Sequence, residues 1–221
     1  FPMTKLKRNK EMNLLISRNR QMSDTEVREP QSVMVIIVES LSAEYMGIYN
    51  QYTGYTPFLD SLGRAGVCMR NHFANGRESI DAVPAVLASM PKLMDEPYIT
   101  SKYQANNLPG LANILKRFGY SSAFFHGARN GSMGFEGFSQ MAGFQQYYGL
   151  NEYPNKKDFD GNWGIFDEPF LQFCAQKTNE QKQPFINAIF TLSSHSPYTI
   201  PTKYVGRFRK GPLEIHESIG Y

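Results

Sequence analysis

Val33-Met34-Val35-Ile36-Ile37-Val38 is an unbroken apolar run that ends abruptly in Glu39-Ser40. Apolar residues without alternation suit a strand covered on both faces, the habit of parallel sheets, so residues 32–39 read as such a strand. Phe185 to Leu192 repeats the pattern and delivers Ser193-Ser194-His195-Ser196-Pro197, and Ser121 to Phe125 delivers His126-Gly127. Helical patterns separate these runs. Thr56-Pro57 opens one through Phe58, Leu59, Leu62 and Ala65, with Gly66 as its stop. Others are expected over Ser79 to Ser89, Leu111 to Phe118 and Trp163 to Lys177, and a further strand over Val67 to Phe73. The alternation argues an α/β fold with a mainly parallel sheet. Residues 127–163, rich in Gly, Asn, Tyr and Phe, read as an ordered loop region, and the tail as polar and irregular.

The 221 residues suffice for one sizeable domain or one plus an extension, and 41% hydrophobic content excludes disorder. A formal net charge of +3 is too mild to imply nucleic acid, although Lys5, Lys7, Arg8, Lys10, Arg18 and Arg20 crowd the start. That stretch reads as a short basic helix and linker closed by Pro30. No run of about 18 apolar residues is present, and Phe1-Pro2-Met3 has neither a start methionine nor a signal-like h-region. The chain is therefore expected to begin in mid-protein, with any membrane segment before it. Cys68 and Cys174 sit in apolar patterns and read as free thiols.

In open α/β sheets ligands gather outside the carboxyl ends of the strands. Glu39, His126 and His195 are delivered there, and Asn75-Gly76-Arg77-Glu78-Ser79 brings a hydroxyl to a helix start. Each has a plain alternative: a solvent-facing residue after a strand, a structural histidine, an N-cap serine. Together they suit metal-assisted phosphoryl or sulfuryl transfer. A serine hydroxyl is a poor nucleophile at neutral pH and a divalent ion activates it. Glu39 offers a hard oxygen ligand for Mn, Mg or Zn. A helix N-terminus favours an anionic ester, and Arg77 either pairs one of its oxygens or is a solvated surface residue.

Several blocks in order, among them Thr56-Pro57-Phe58-Leu59-Asp60-Ser61-Leu62, Ala74 to Ser79, Ala88-Ser89-Met90-Pro91, Phe125-His126-Gly127, Asn162-Trp163-Gly164 and Thr191 to Tyr198, resemble the extracytoplasmic domain of lipoteichoic acid synthase-like sulfatase-family proteins of the alkaline phosphatase superfamily. The resemblance runs from residue 32 to the end. It implies a three-layer α/β/α alkaline-phosphatase-like domain over 32–221, preceded by a lead-in over 1–31 that follows a membrane region. By the same resemblance Glu39 is a metal ligand, Ser79 is the metal-bound catalytic nucleophile, His195 contacts the substrate's polar head, and His126 falls in a block the family shares. Arg77, by its charge and place, joins His195 and His126 in the substrate-binding set. One divalent ion (Mn, Mg or Zn) is the implied cofactor, and a phospholipid or other anionic ester the implied partner. The place is the cell membrane, with the catalytic domain outside the cytoplasm. A sulfate ester hydrolase on the same scaffold and a non-catalytic binding domain stand as alternatives.

The chain departs from that family at three points. No Asp-His dipeptide occurs in it, so the metal site is expected to be incomplete here and the chain as given inactive. Gly131-Ser132-Met133-Gly134-Phe135 stands where a Trp-Asn-Arg element holds glycerophosphate in the synthases proper, which argues against polyglycerolphosphate synthesis. Neither cysteine lies in the Cys-x-Pro-x-Arg pattern of formylglycine sulfatases, so "sulfatase" describes ancestry better than mechanism.

Overall fold

Four strands form one sheet in a computed structural model that describes residues 29–221. They are β1 (Val33–Ile37), β2 (Ser121–His126), β3 (Gln146–Tyr148) and β4 (Phe185–Phe190), in the order β1-β4-β2-β3, with every pairing parallel. β4 lies between β1 and β2, in register Ile37↔Phe190 and His126↔Phe190, so three strand ends share one rim. That juxtaposition places Glu39, His126 and the segment after Phe190 side by side.

Alternate side chains of the central strands go to opposite layers, as a pleated backbone requires. Phe124 of β2 and Ile186, Ala188 and Phe190 of β4 pack with Ile80, Val83 and Leu87 of α2 (Ser79–Ala88), Ala112 of α3 (Leu111–Lys116) and Phe135 and Phe138 of α4 (Phe135–Met141). Ala123, Phe125 and Ile189 pack instead with Phe170, Phe173 and Cys174 of α5 (Asp167–Asn179). Two apolar clusters on opposite faces of one sheet make the three-layer α/β/α arrangement expected from the sequence. α1 (Pro57–Ala65) and α6 (Ile215–Gly220) complete the α-helices among the described residues. Both cysteines are free.

Five expectations need correction. Residues 67–73 form no strand; Val67 is 84% and Phe73 74% exposed. An apolar pattern cannot become a strand without a hydrogen-bonded neighbour, and among the described residues none lies beside it. β1 is an edge strand with Ile36 54% exposed rather than a doubly covered one. Residues 127–163 contain α4 and β3, for Phe135, Phe138 and Phe144 supply apolar groups that the sheet can bury. The helix expected from Trp163 starts at Asp167, because Gly164 and Ile165 bridge to Ala128 and Phe159 in extended form. The tail is not wholly irregular: α6 forms, and Tyr221 packs with Tyr204 and Phe208. The basic helix expected near the start lies outside the described residues.

Candidate active site

After their last paired residues, β1 and β4 stay laced together by polar groups. Thr191 N–H donates to the Ile37 carbonyl (3.1 Å), and Glu39 N–H donates to Thr191 Oγ1 (2.9 Å). Ser194 Oγ donates to the Glu39 carbonyl (2.5 Å), and Ser40 Oγ donates to the carboxylate at Glu39 Oε1 (2.9 Å). Ser40 turns through a positive φ of 53°, which ends the strand direction at once. Glu39 is only 6% exposed, so its position is set by this mesh and not by solvent.

Asp167, which sequence reasoning missed, fastens the same rim from the far layer. Its carboxylate accepts the N–H groups of Leu192 (2.8 Å) and Ser193 (2.9 Å), and its own N–H donates to Ser193 Oγ (2.9 Å). Burial pushes its pKa up to about 6, the charge of Glu39 adds to the rise, and the two N–H bonds oppose it. The signal was present in Asp167-Glu168-Pro169, two acids and a proline that mark a helix start. Starting the helix at Trp163 hid it.

His195 follows Ser194 and is half-buried. Its Nδ1 lies 2.9 Å from the Ser196 carbonyl, and its ring centroid lies 4.2 Å from that of Trp163. His126 sits beneath the rim, 2% exposed, stacked on Phe190 (4.6 Å, 9°) and edge-on to Phe135, with Nδ1 bonded to the Phe190 carbonyl (3.1 Å). Burial lowers its pKa to about 4, so it is a neutral imidazole at physiological pH.

Ser79 is the first residue of α2, with Glu78 at the cap position. The hydroxyl is half-buried and has no hydrogen-bond partner among the described residues. The turn before it is clamped: Asn75 Oδ1 accepts Lys92 N–H (3.1 Å), and Lys92 Nζ pairs with buried Asp81 (2.9 Å). A Cβ on Gly76 would stand 2.3 Å from the Asp81 Cβ, so only glycine permits this approach. Arg77 is exposed and makes no ion pair among the described residues.

Glu39, His195 and His126 are thus joined through residues 190–196, while Ser79 and Arg77 belong to a separate turn with no hydrogen bond to them. Among the described residues no three His, Cys, Asp or Glu side chains converge as a metal-holding group. No helix there is long and apolar enough to cross a membrane.

Residues 31–217 match the Sulfatase family model. Lipoteichoic acid synthase 2 of Bacillus subtilis (strain 168) is 29% identical over 181 residues, which covers 77% of this chain and 27% of that protein. A protein in the alkaline phosphatase superfamily from Vibrio parahaemolyticus has a similar structure, with TM-score 0.76 and 25% identity over 86% of this chain and 47% of that one. The C-terminal periplasmic domain of EcEptC from Escherichia coli, solved in complex with Zn, gives TM-score 0.60 at 16% identity over 88% of this chain and 56% of that one. The chain therefore spans about a quarter of the curated relative's length and about half of these solved chains.

Proposed function

The chain belongs to the Sulfatase family, and from that premise we propose that it carries part of the catalytic domain of a metal-dependent enzyme that transfers or hydrolyses a phosphoryl-linked head group, taken from a phospholipid or related anionic ester. The observation that carries this is the fastening of buried Glu39 at the strand rim, its backbone held by Thr191 and Ser194 and its carboxylate accepting from Ser40. The lipoteichoic acid synthase relative supports phosphoryl over sulfuryl chemistry. The periplasmic neighbour supports a catalytic domain outside the cytoplasm. In this reading residues 1–31 are a lead-in, residues 32–221 belong to the domain, and the whole enzyme is tethered to the membrane.

Ser79 Oγ bonds to phosphorus as its hydroxyl proton is given up and the P–O bond to the leaving alcohol breaks, that alcohol departing with a proton; the phosphoserine ester then holds the remaining phosphoryl group until the oxygen of a glycan hydroxyl or water displaces Ser79. The start of α2 directs backbone N–H groups toward the anionic oxygens, and Arg77 pairs one of them. His195 holds the polar head. His126, neutral and enclosed by Phe190 and Phe135, sets the floor beneath them. A divalent ion of the Mn, Mg or Zn kind, supported by the zinc complex of the periplasmic neighbour, would supply the positive charge that makes the hydroxyl a nucleophile. Glu39 and Ser79 are the oxygen donors this chain offers it. They do not complete a donor set among the described residues.

The test is turnover of a fluorescent phosphatidylglycerol by the natural polypeptide that carries residues 1–221, beside elemental analysis for metal. Ser79→Ala is expected to lose on the order of a thousandfold or more in turnover without unfolding. Glu39→Ala is expected to lose both metal and turnover. Activity persisting in Ser79→Ala overturns the nucleophile, and a metal-free, inactive wild type selects the binding-domain alternative.

A further inference from the structure

The rim is one pole of the sheet. The N-terminal ends of β2, β3 and β4 form the other, about 17 Å away along β2. A cleft of about 440 Å³ opens beside them, lined by polar residues, Gln145, Gln146, Gln181 and Lys182 among them, with no aliphatic hydrocarbon side chain.

Hydrogen bonds fix which way its glutamines face. The Ser122 N–H can only donate, so the Gln145 atom 3.0 Å from it is the oxygen. Ala123 N–H fixes the Asn187 oxygen in the same way (2.9 Å). The Asn187 nitrogen therefore donates to Thr178 Oγ1 (3.1 Å) and to Gln181 Oε1 (2.8 Å). Gln146 Oε1 accepts the Tyr148 hydroxyl (2.8 Å). All three carboxamide oxygens are thus engaged, and all three nitrogens are donors without an acceptor among the described residues. Gln181 Nε2 is buried in that condition. A buried donor left unpaired is destabilising, and native folds seldom keep one that nothing takes up.

The charges point the same way. Lys177 Nζ pairs with Glu180 (2.7 Å), so those two cancel, while Lys182 makes no ion pair among the described residues. The last α5 carbonyls do not oppose an anion, since Glu180 N–H caps that of Lys177 (3.3 Å) and Gln181 N–H that of Thr178 (3.1 Å). The serine hydroxyl protons are spent within the protein, Ser121 Oγ donating to the Lys182 carbonyl (2.6 Å) and Ser122 Oγ to that of Gly143 (3.4 Å).

We propose that this cleft binds a tetrahedral oxyanion, inorganic phosphate or the phosphate of an ester, with Gln145, Gln146, Gln181 and Lys182 as its donors. A tetrahedral anion offers oxygens in several directions to donors that come from two separate segments, whereas a carboxylate offers two oxygens in one plane. The site is independent of the reaction assigned to Ser79.

The experiment is calorimetric titration of the chain with inorganic phosphate, glycerol phosphate, sulfate and acetate at constant ionic strength. Saturable binding of a tetrahedral anion is expected, with acetate weaker by about tenfold. Tighter binding of glycerol phosphate than of phosphate selects the ester, and the reverse selects the free ion. Gln181→Glu keeps the oxygen that Asn187 uses and puts an acceptor where the donor stood; Gln145→Glu does the same toward Ser122, at an exposed position that tolerates the charge. Each should weaken binding by about tenfold or more, with the Gln145→Glu melting temperature unchanged. Arg77→Ala separates the cleft from the nucleophile turn and should leave this binding unchanged. No saturable binding of any tetrahedral anion, acetate equal to phosphate, or unchanged affinity in both glutamate variants overturns the site. Binding lost in Arg77→Ala and kept in Gln145→Glu places the anion at the nucleophile turn and also overturns it.

Discussion

Glu39 hangs, past the end of β1, in a mesh of hydrogen bonds to the exit of β4, whereas Ser79 stands at the start of α2 with no partner for its hydroxyl among the described residues. The Glu39 end is long-range: Thr191 lies 152 residues away and Ser194 155, so its geometry exists only once the sheet has closed. The Ser79 end is local, set by a glycine turn and the Asp81–Lys92 pair within about one helix and its flanks. A preformed acid end and a hydroxyl left free of protein partners suit a site whose nucleophile must remain available for attack. They also imply that the two ends fail differently when disturbed.

Gly76→Val should give the largest separation of the two. Its Cβ cannot fit against Asp81, so the turn must shift, and a misplacement of about 1 Å costs on the order of a hundredfold in turnover. Because the clash is local, hydrogen exchange at residues 185–195 should be unchanged; loss of protection there would erase the contrast between the ends. Asp167→Ala should do the reverse. It leaves the buried Leu192 and Ser193 N–H groups without acceptors and should cost about 2–4 kcal/mol in denaturant unfolding. A cost under about 1 kcal/mol would mean that water replaces the carboxylate.

Two buried groups at the rim predict opposing responses to pH. Asp167 has a folded pKa raised to about 6, so its contribution is full below the unfolded value near ~4 and is lost as pH rises through 6. His126 has a folded pKa lowered to about 4, so its contribution is full above the unfolded value of ~6.5 and is lost as pH falls toward 4. Between pH 4 and 6.5 the two slopes, each at most about 1.4 kcal/mol per pH unit, nearly cancel. Asp167→Asn should make stability climb with pH in that window, and His126→Phe should make it fall. Denaturation midpoints at pH 4.5 and 6.5 check both signs, and two variants that track wild type would refute the assignment. The smallest effect belongs to Thr191→Val, which removes the acceptor for Glu39 N–H and should cost about 1 kcal/mol.

Much of this was legible in the residues. The runs around Ile36, Phe124 and Ile189 announced parallel strands, and strand-end reasoning picked out Glu39, His126 and His195. The reading failed where partners decide. Val67 to Phe73 has strand-like residues but no neighbour to bond. The exposed edge of β1 follows from strand order, which apolar content does not encode. Asp167 was passed over because its meaning depends on Leu192 and Ser193, which the fold brings back from beyond the far end of α5.

Local physical chemistry therefore determined the α/β class and the strands that feed the rim, because apolar periodicity and turn residues act over a few positions. Tertiary structure alone decided that β4 separates β1 from β2, that Asp167 clasps the rim, and that the His126 imidazole is enclosed and neutral. Each of these is settled by burial or by a hydrogen-bond partner distant in sequence, and only the closed sheet supplies those.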